Sequence, residues 1–366
     1  MKASPVSKPV VILVEDDPFT RLIPLVLDPN ANEERRTAFA DFMSTDEPDF
    51  AGWCTRVRNG APTLHPAEVR LVESEDEMRA NLADCDILVV ESFRVTRGDL
   101  AAAKKLRILQ KFGSGLRNID AEACAEKGVK LLTLRRRANI SCAEHAFALI
   151  FMLARKVDQL DGLVSIERIK AARGAYRPYD RRHTPGGNFA RFGGTRALNG
   201  ATIGIIGLGE IGREIARRAG AFDMNVLYHQ RTRAPEAEER ALNARYAPLA
   251  TLLAESDWIV PQLPTLPSTR GVLGRTELAQ IKPGACIVNV ANAPIIDRDA
   301  LIETLRSGRL GGVALDVHYQ EPVADDDELL TFDNVIMTPR MAGSPRFNGL
   351  NDFEEMITRL SREFAK

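Results

Sequence analysis

The 366-residue chain has no long apolar run, no excess of either charge and no cysteines at paired spacing. Its longest uninterrupted apolar stretches, such as Val10 to Val14 and Ala146 to Ala154, fall well short of the roughly 20 residues that cross a bilayer. With 49 basic against 50 acidic side chains, no strong field is present to attract nucleic acid or an anionic membrane. Small molecules or a second copy of the chain are the expected partners. The five cysteines, Cys54, Cys85, Cys124, Cys142 and Cys286, are odd in number and scattered, with no metal-ligand or redox spacing. They read as buried structural thiols in a reducing cytoplasm, and no metal site is indicated. The Met1 to Pro9 start lacks a signal-peptide core. No internal repeat or low-complexity tract stands out, and Asp325-Asp326-Asp327 reads as a solvated turn.

What the chain does have is a glycine turn in a telling place. Thr202 to Gly212 reads Thr-Ile-Gly-Ile-Ile-Gly-Leu-Gly-Glu-Ile-Gly, an apolar run entering Gly207-x-Gly209-x-x-Gly212, with Glu210 and Ile211 between the last two glycines. Gly207 permits a tight turn, Gly209 lets backbone reach a pyrophosphate, and Gly212 lets the following helix pack on its strand. A glycine-rich turn without ligand is the alternative. The helical pattern Arg213 to Phe222 and a second strand at Asn225 to Gln230 complete a βαβ unit and favour the dinucleotide.

Short β-type runs alternate with helical patterns on both sides of this turn. They fall at Val10 to Val14, Val69 to Glu73, Ile87 to Glu91, Leu106 to Lys111 and Val129 to Leu132, then at Trp258 to Val260, Cys286 to Val290, Val313 to Val317 and Val335 to Met337. That alternation predicts parallel sheets. Asp28 to Pro66 has no clear period and reads as a functional insertion or a mobile lid. A long helix is expected from Cys142 to about Arg155, with Ser141 as N-cap and Glu144 in capping-box spacing. Arg173 to Leu198, rich in Arg, Gly and Pro, reads as a connection, and a C-terminal helix is expected near Asp352 to Phe364.

From about residue 70 to 345 the chain resembles the D-isomer-specific 2-hydroxyacid dehydrogenases. The resemblance is carried by Phe112-Gly113-Ser114-Gly115-Leu116-Arg117-Asn118-Ile119-Asp120, Ala143-Glu144-His145, the glycine turn, Leu263-Pro264 with Thr269, and Lys282-Pro283-Gly284-Ala285. It continues through Ile287-Val288-Asn289, Leu315-Asp316-Val317 with Glu321-Pro322, and Asn334 to Pro339. It implies an α/β fold of two doubly wound parallel-sheet domains, a Rossmann-type cofactor domain (142–338) inserted in a flavodoxin-like substrate domain (1–141 plus 339–366). Discontinuous domains of this kind imply a cleft with two hinges. A homodimer is also implied.

For the cofactor, the resemblance implies contacts from Gly207 to Gly212, Leu263, Pro264 and Thr269, the backbone of Val290 and Ala291 near the nicotinamide ring, and Asp316 at the carboxamide. At the end of the second cofactor-domain strand, where an acid would accept hydrogen bonds from the ribose of NAD, stands Gln230, with Arg231 and Arg233 beside it. A neutral residue flanked by two guanidinium forks favours NADP over NAD, with NAD still possible. A solvated turn is the other reading of these arginines.

For the substrate, the family loop Gly113 to Leu116 implies a carboxylate held by backbone amides, through Ser114, Gly115 and Leu116, with Arg117 adding charge. Arg136, in Arg135-Arg136-Arg137, either adds to that anion site or belongs to a solvated basic turn. The chain departs from its family at the chemistry, which in the family uses an Arg, a Glu and a His. Asn292 stands in the Arg position and Arg340 in the His position, and Glu321 alone is kept. An arginine keeps its proton at neutral pH and cannot act as the acid or base that imidazole provides. His318 or a water becomes the nearest proton source, with His145 and His183 further candidates. An NADP(H)-preferring oxidoreductase of a 2-hydroxy or 2-oxo acid is expected. Non-redox or cofactor-assisted chemistry, and a nucleotide-binding protein without catalysis, are the alternatives.

Overall fold

A computed structural model describes residues 8–366, so most of the Met1 to Pro9 start read above lies outside the described residues. The chain divides into two compact units, Met1–Ser141 with Gly343–Lys366, and Cys142–Ala342. Among the described residues no helix is long and apolar enough to cross a membrane.

The first unit is built on β1 (Val10–Glu15), β2 (Ala67–Val72), β3 (Ile87–Val90), β4 (Ile108–Lys111) and β5 (Lys130–Leu132), all parallel in the order β2-β1-β3-β4-β5. Alternate residues feed two cores: Ile12, Val14, Ile87 and Val89 face one, and Leu13, Leu88 and Val90 face the other. Burial of both faces explains why these strands read as continuous apolar runs rather than alternating ones.

Asp28 to Pro66 belongs to that first core and is not a mobile lid. It folds into the helices Glu33–Met43 and Phe50–Asn59, the second capped by the Asp49 side chain and burying Phe50, Trp53, Cys54 and Val57. Phe39, Phe50, Trp53 and Phe353 form an aromatic chain with centroids 5.7–6.3 Å apart. The period was hidden because each helix offers one short apolar stripe broken by charge: Glu33–Met43 packs on Phe50–Asn59, and the partner of Phe50–Asn59 is the C-terminal helix Phe347–Phe364, some 300 residues away.

The long helix also differs from expectation. It runs Arg137–Arg155, five residues earlier than Ser141 as N-cap would place it. The cap is remote: the buried Asp352 carboxylate accepts hydrogen bonds from the N–H groups of Arg137 (2.7 Å) and Ala138 (3.4 Å). Burial pushes that carboxyl above its ordinary range even though these bonds and the Arg137 guanidinium oppose the shift.

The second unit carries β6 (Thr202–Ile206), β7 (Asn225–His229), β8 (Ala244–Tyr246), β9 (Trp258–Pro261), β10 (Cys286–Asn289), β11 (Gly312–Leu315) and β12 (Val335–Met337). They pair in the order β12-β11-β10-β9-β6-β7-β8, all parallel. β8 is a three-residue edge strand with no apolar run to announce it. The strand order reverses between β6 and β9, the point in a doubly wound sheet where ligands bind at the carboxyl ends of the strands.

Candidate active site

The glycine turn lies at that reversal, between β6 and the helix Glu210–Ala221. Gly207 has φ of +106°, and a Cβ there would stand 2.4 Å from the carbonyl oxygen of Gln262. A Cβ on Gly212 would stand 2.3 Å from the carbonyl oxygen of Gly207, so helix and turn are in direct backbone contact. A Cβ on Gly209 would meet nothing within 4 Å. Two glycines are thus required by the protein's own packing. The third faces space at a helix N-terminus where the N-cap residue offers no side-chain hydrogen bond, which fits the close approach of a pyrophosphate.

At the end of β7 the buried Gln230 donates through Nε2 to the carbonyl of Thr232, closing a turn that presents Arg231 and Arg233. The two arginines differ in their surroundings. Arg233 forms a bidentate pair with Glu239 at 2.9 and 2.7 Å, and the Tyr228 hydroxyl donates to the same carboxylate at 2.6 Å. These bonds from Arg233 and then Tyr228 hold the Glu239 carboxyl down at about 2. Arg231 is exposed and makes no ion pair among the described residues. Glu239 escaped the sequence reading; its signal was the acidic run Glu236 to Glu239, six residues beyond the guanidinium it holds.

Thr269 Oγ1 donates to the carbonyl of Pro264 at 2.6 Å, folding the turn after β9. The Leu263 carbonyl accepts from Asn292 Nδ2 at 3.0 Å. One amide hydrogen of Asn292 is therefore committed to the scaffold and the other is available. Its own carbonyl is held by Asn289 Nδ2, and Asn289 Oδ1 accepts from the Ala291 N–H, fixing the backbone of the buried Val290 and of Ala291.

Asp316, buried at the end of β11, organises the segment after β12. Its carboxylate accepts from Thr338 Oγ1 (2.6 Å) and from the N–H groups of Met341 (2.8 Å) and Ala342 (2.7 Å), and His145 Nε2 stands 3.4 Å away. Burial pushes the carboxyl up, but His145, Thr338 and the two backbone bonds outweigh it and leave it below its ordinary range. His145, a distant candidate in sequence, is thereby brought to the node, with Nε2 3.1 Å from the Thr338 hydroxyl.

Arg340 follows in a left-handed backbone conformation, φ +56°, which is uncommon for a long side chain and marks positions the surroundings enforce. Its N–H returns to the carbonyl of Thr338. Its Nη1 donates to both Glu321 oxygens at 3.1 and 2.9 Å. His318 Nε2 donates to the Thr338 carbonyl at 2.9 Å, so in the neutral ring Nδ1 is the bare nitrogen, and that atom is buried. His183 is exposed and paired with Asp180 at 2.6 Å.

The remaining candidates lie in the first unit, on the loop after β4. Ser114 and Arg117 are exposed and Gly115 and Leu116 half-buried. The loop is anchored where Gly113 accepts from the Leu134 N–H and Asn118 Nδ2 donates to the Phe93 carbonyl. Arg135 to Arg137 is not a solvated turn throughout. Arg136 stacks over Phe112 at 5.2 Å and stands 3.5 Å from Glu91, while Arg137 pairs with Asp352 and Glu355. Burial raises the Glu91 carboxyl despite the opposing charges of Lys111 and Arg136.

The profile described as D-isomer specific 2-hydroxyacid dehydrogenase, NAD binding domain, matches residues 147–342. A glyoxylate reductase of Pyrococcus furiosus is 35% identical over 298 residues, 80% of this chain and 84% of its own length. A D-3-phosphoglycerate dehydrogenase of Archaeoglobus fulgidus is 34% identical over 285 residues, 78% of this chain but 50% of its own, so the chain spans about half of that relative. The holo form of Rhodotorula graminis D-mandelate dehydrogenase aligns over 96% of this chain and 93% of its own with a TM-score of 0.55 at 22% identity, a likeness of fold.

Proposed function

The chain belongs to the D-isomer-specific 2-hydroxyacid dehydrogenase family, and from that premise we propose that it is an NADP(H)-preferring oxidoreductase of a 2-hydroxy or 2-oxo acid, or a related anionic carbonyl compound. The observation that carries the reading is the glycine turn, where Gly207 and Gly212 are demanded by packing and Gly209 is demanded by nothing in the protein itself. Arg231, exposed and without an ion pair among the described residues, is the proposed anchor of a 2′-phosphate, with Arg233 fixing the turn through Glu239. The likeness to a protein named glyoxylate reductase supports a 2-oxo acid as substrate.

When bound, the nicotinamide supplies the hydride. Arg340 then stabilises the oxyanion developing on the substrate carbonyl, a role that needs a fixed positive charge and no proton transfer. Glu321 orients Arg340 through its two oxygens. Asn292 offers its second amide hydrogen to the same class of acceptor. His318 braces the turn through the Thr338 carbonyl, and water brings the proton. The Ser114 to Leu116 backbone, with Arg117 and Arg136, is proposed to hold the carboxylate. A homodimer in the cytoplasm belongs to the same reading. A redox-neutral reaction is the second reading, favoured by the Arg340–Glu321 pair, since the guanidinium keeps its proton at neutral pH.

Arg340→Ala tests the role of the guanidinium. Loss of one preorganised donor should lower kcat/KM for a 2-oxo acid by about 10²-fold or more while NADPH Kd stays within about twofold. Unchanged kcat/KM would remove Arg340 from the mechanism.

A further inference from the structure

Beside the Arg340–Glu321 pair, wholly within the second unit, lies a cavity of about 520 Å³. Its wall is apolar, formed by Pro322, Val323, Leu330, Met337 and Pro339, and its charged groups are Arg340 and Glu321. Leu330 is 53% exposed, a large aliphatic side chain left open to water in the wall of a concave site. The volume sits within the roughly 300–1,000 Å³ of small-molecule sites, which are mostly apolar with a few placed polar groups. Arg340 binds Glu321 through Nη1, and its Nη2 and Nε have no partner among the described residues. One end of the cavity thus offers donors to an anion and the rest offers oil-like surface.

We propose that this cavity receives the side chain of the substrate, and that the preferred substrate is a 2-oxo acid carrying an aromatic or branched aliphatic group. The inference rests on the reading of Arg340 as the group that meets the polar end of the substrate. A two-carbon acid would reach Arg340 and leave the apolar wall wet. A phenyl or isobutyl group would cover Val323 and Leu330, removing their surface from water together with its own. Each methylene placed in such a pocket changes selectivity by roughly 10-fold or more, so the discrimination should be large.

The test compares NADPH consumption with phenylpyruvate, 4-methyl-2-oxopentanoate, pyruvate and glyoxylate, and separately measures calorimetric binding of 3-phenylpropanoate and propanoate. The variants are Val323→Trp, which fills the cavity, and Leu330→Ser, a half-exposed position whose change leaves the fold intact. The expected result is kcat/KM for phenylpyruvate at least about tenfold above that for pyruvate, with that ratio falling about tenfold in both variants. Turnover of pyruvate or glyoxylate as good as that of phenylpyruvate would overturn the inference and leave the proposed function standing. If no 2-oxo acid is consumed, the proposed function falls and binding decides the cavity. Tighter binding of 3-phenylpropanoate than propanoate, lost in Val323→Trp, upholds it; equal binding overturns it.

Discussion

Replacing Gly209 by alanine separates the cofactor from the fold at a single atom. The backbone there, φ −78° and ψ −162°, is open to any residue, and the new Cβ meets no protein atom within 4 Å. Two small terms oppose each other in stability. Alanine is a poorer N-cap than glycine by roughly 0.5–1 kcal/mol, whereas the stiffer unfolded chain returns about 0.4–1 kcal/mol. The net is near zero, a shift in Tm of about 2–4 °C at most for a unit of this size. Against a pyrophosphate the same methyl group occupies the approach to the helix N-terminus, and losing one hydrogen bond to a charged group costs about 1.5–3 kcal/mol, or roughly 10- to 150-fold in Kd. Gly212→Ala provides the contrast, since its Cβ would press against the Gly207 carbonyl at 2.3 Å and should destabilise the unit by about 1–3 kcal/mol. Fluorescence titration with NADPH and a thermal melt read the two effects separately. Gly209→Ala with unchanged NADPH affinity would refute the reasoning.

Three further expectations follow from the packing and the charges. Arg231→Ala should weaken NADPH about tenfold while leaving NADH within twofold, measured by parallel titrations; equal losses for both would assign Arg231 to the turn alone. Trp53→Ala should cost about 3–5 kcal/mol in urea unfolding because the ring sits in the core against Phe50 and Phe353, whereas a residue of a mobile lid would cost almost nothing. The Glu239 carboxyl, held at about 2 against an ordinary 4.5, stabilises the fold above pH 4.5, and that contribution fades as pH falls from 4.5 toward 2. Wild type should therefore lose stability against Glu239→Gln across that window, and parallel pH profiles of the two proteins would contradict the pairing.

The central strands of both sheets, among them β1, β3, β6 and β10, were legible because parallel strands buried on two faces read as apolar runs, and the glycine turn because three backbone demands fall at fixed spacing; the edge strand β8 was not. Elements defined by distant partners were not. The cap of the helix Arg137–Arg155 is Asp352, more than 200 residues away, so local spacing pointed to Ser141 instead. The helix Phe50–Asn59 buries its face against the C-terminal helix, and no window of sequence contains both sides of that contact. At the site, the resemblance puts Asn292 and Arg340 where the family has its Arg and His, an assignment made residue by residue from the motifs. What sequence could not supply was which groups were already committed: one Asn292 amide hydrogen to Leu263, His318 to Thr338, and Arg233 to Glu239.

We propose that this chain moves hydride with Arg340 standing where the resemblance puts the family's acid–base histidine. NADPH bound to the protein and then mixed with a panel of 2-oxo acids, phenylpyruvate among them, tests it by the near-ultraviolet absorbance of the reduced cofactor. Loss of that absorbance, abolished or slowed about 10²-fold in Arg340→Ala, is the predicted result. Tight NADPH binding with no consumption of cofactor by any acid in the panel would contradict it.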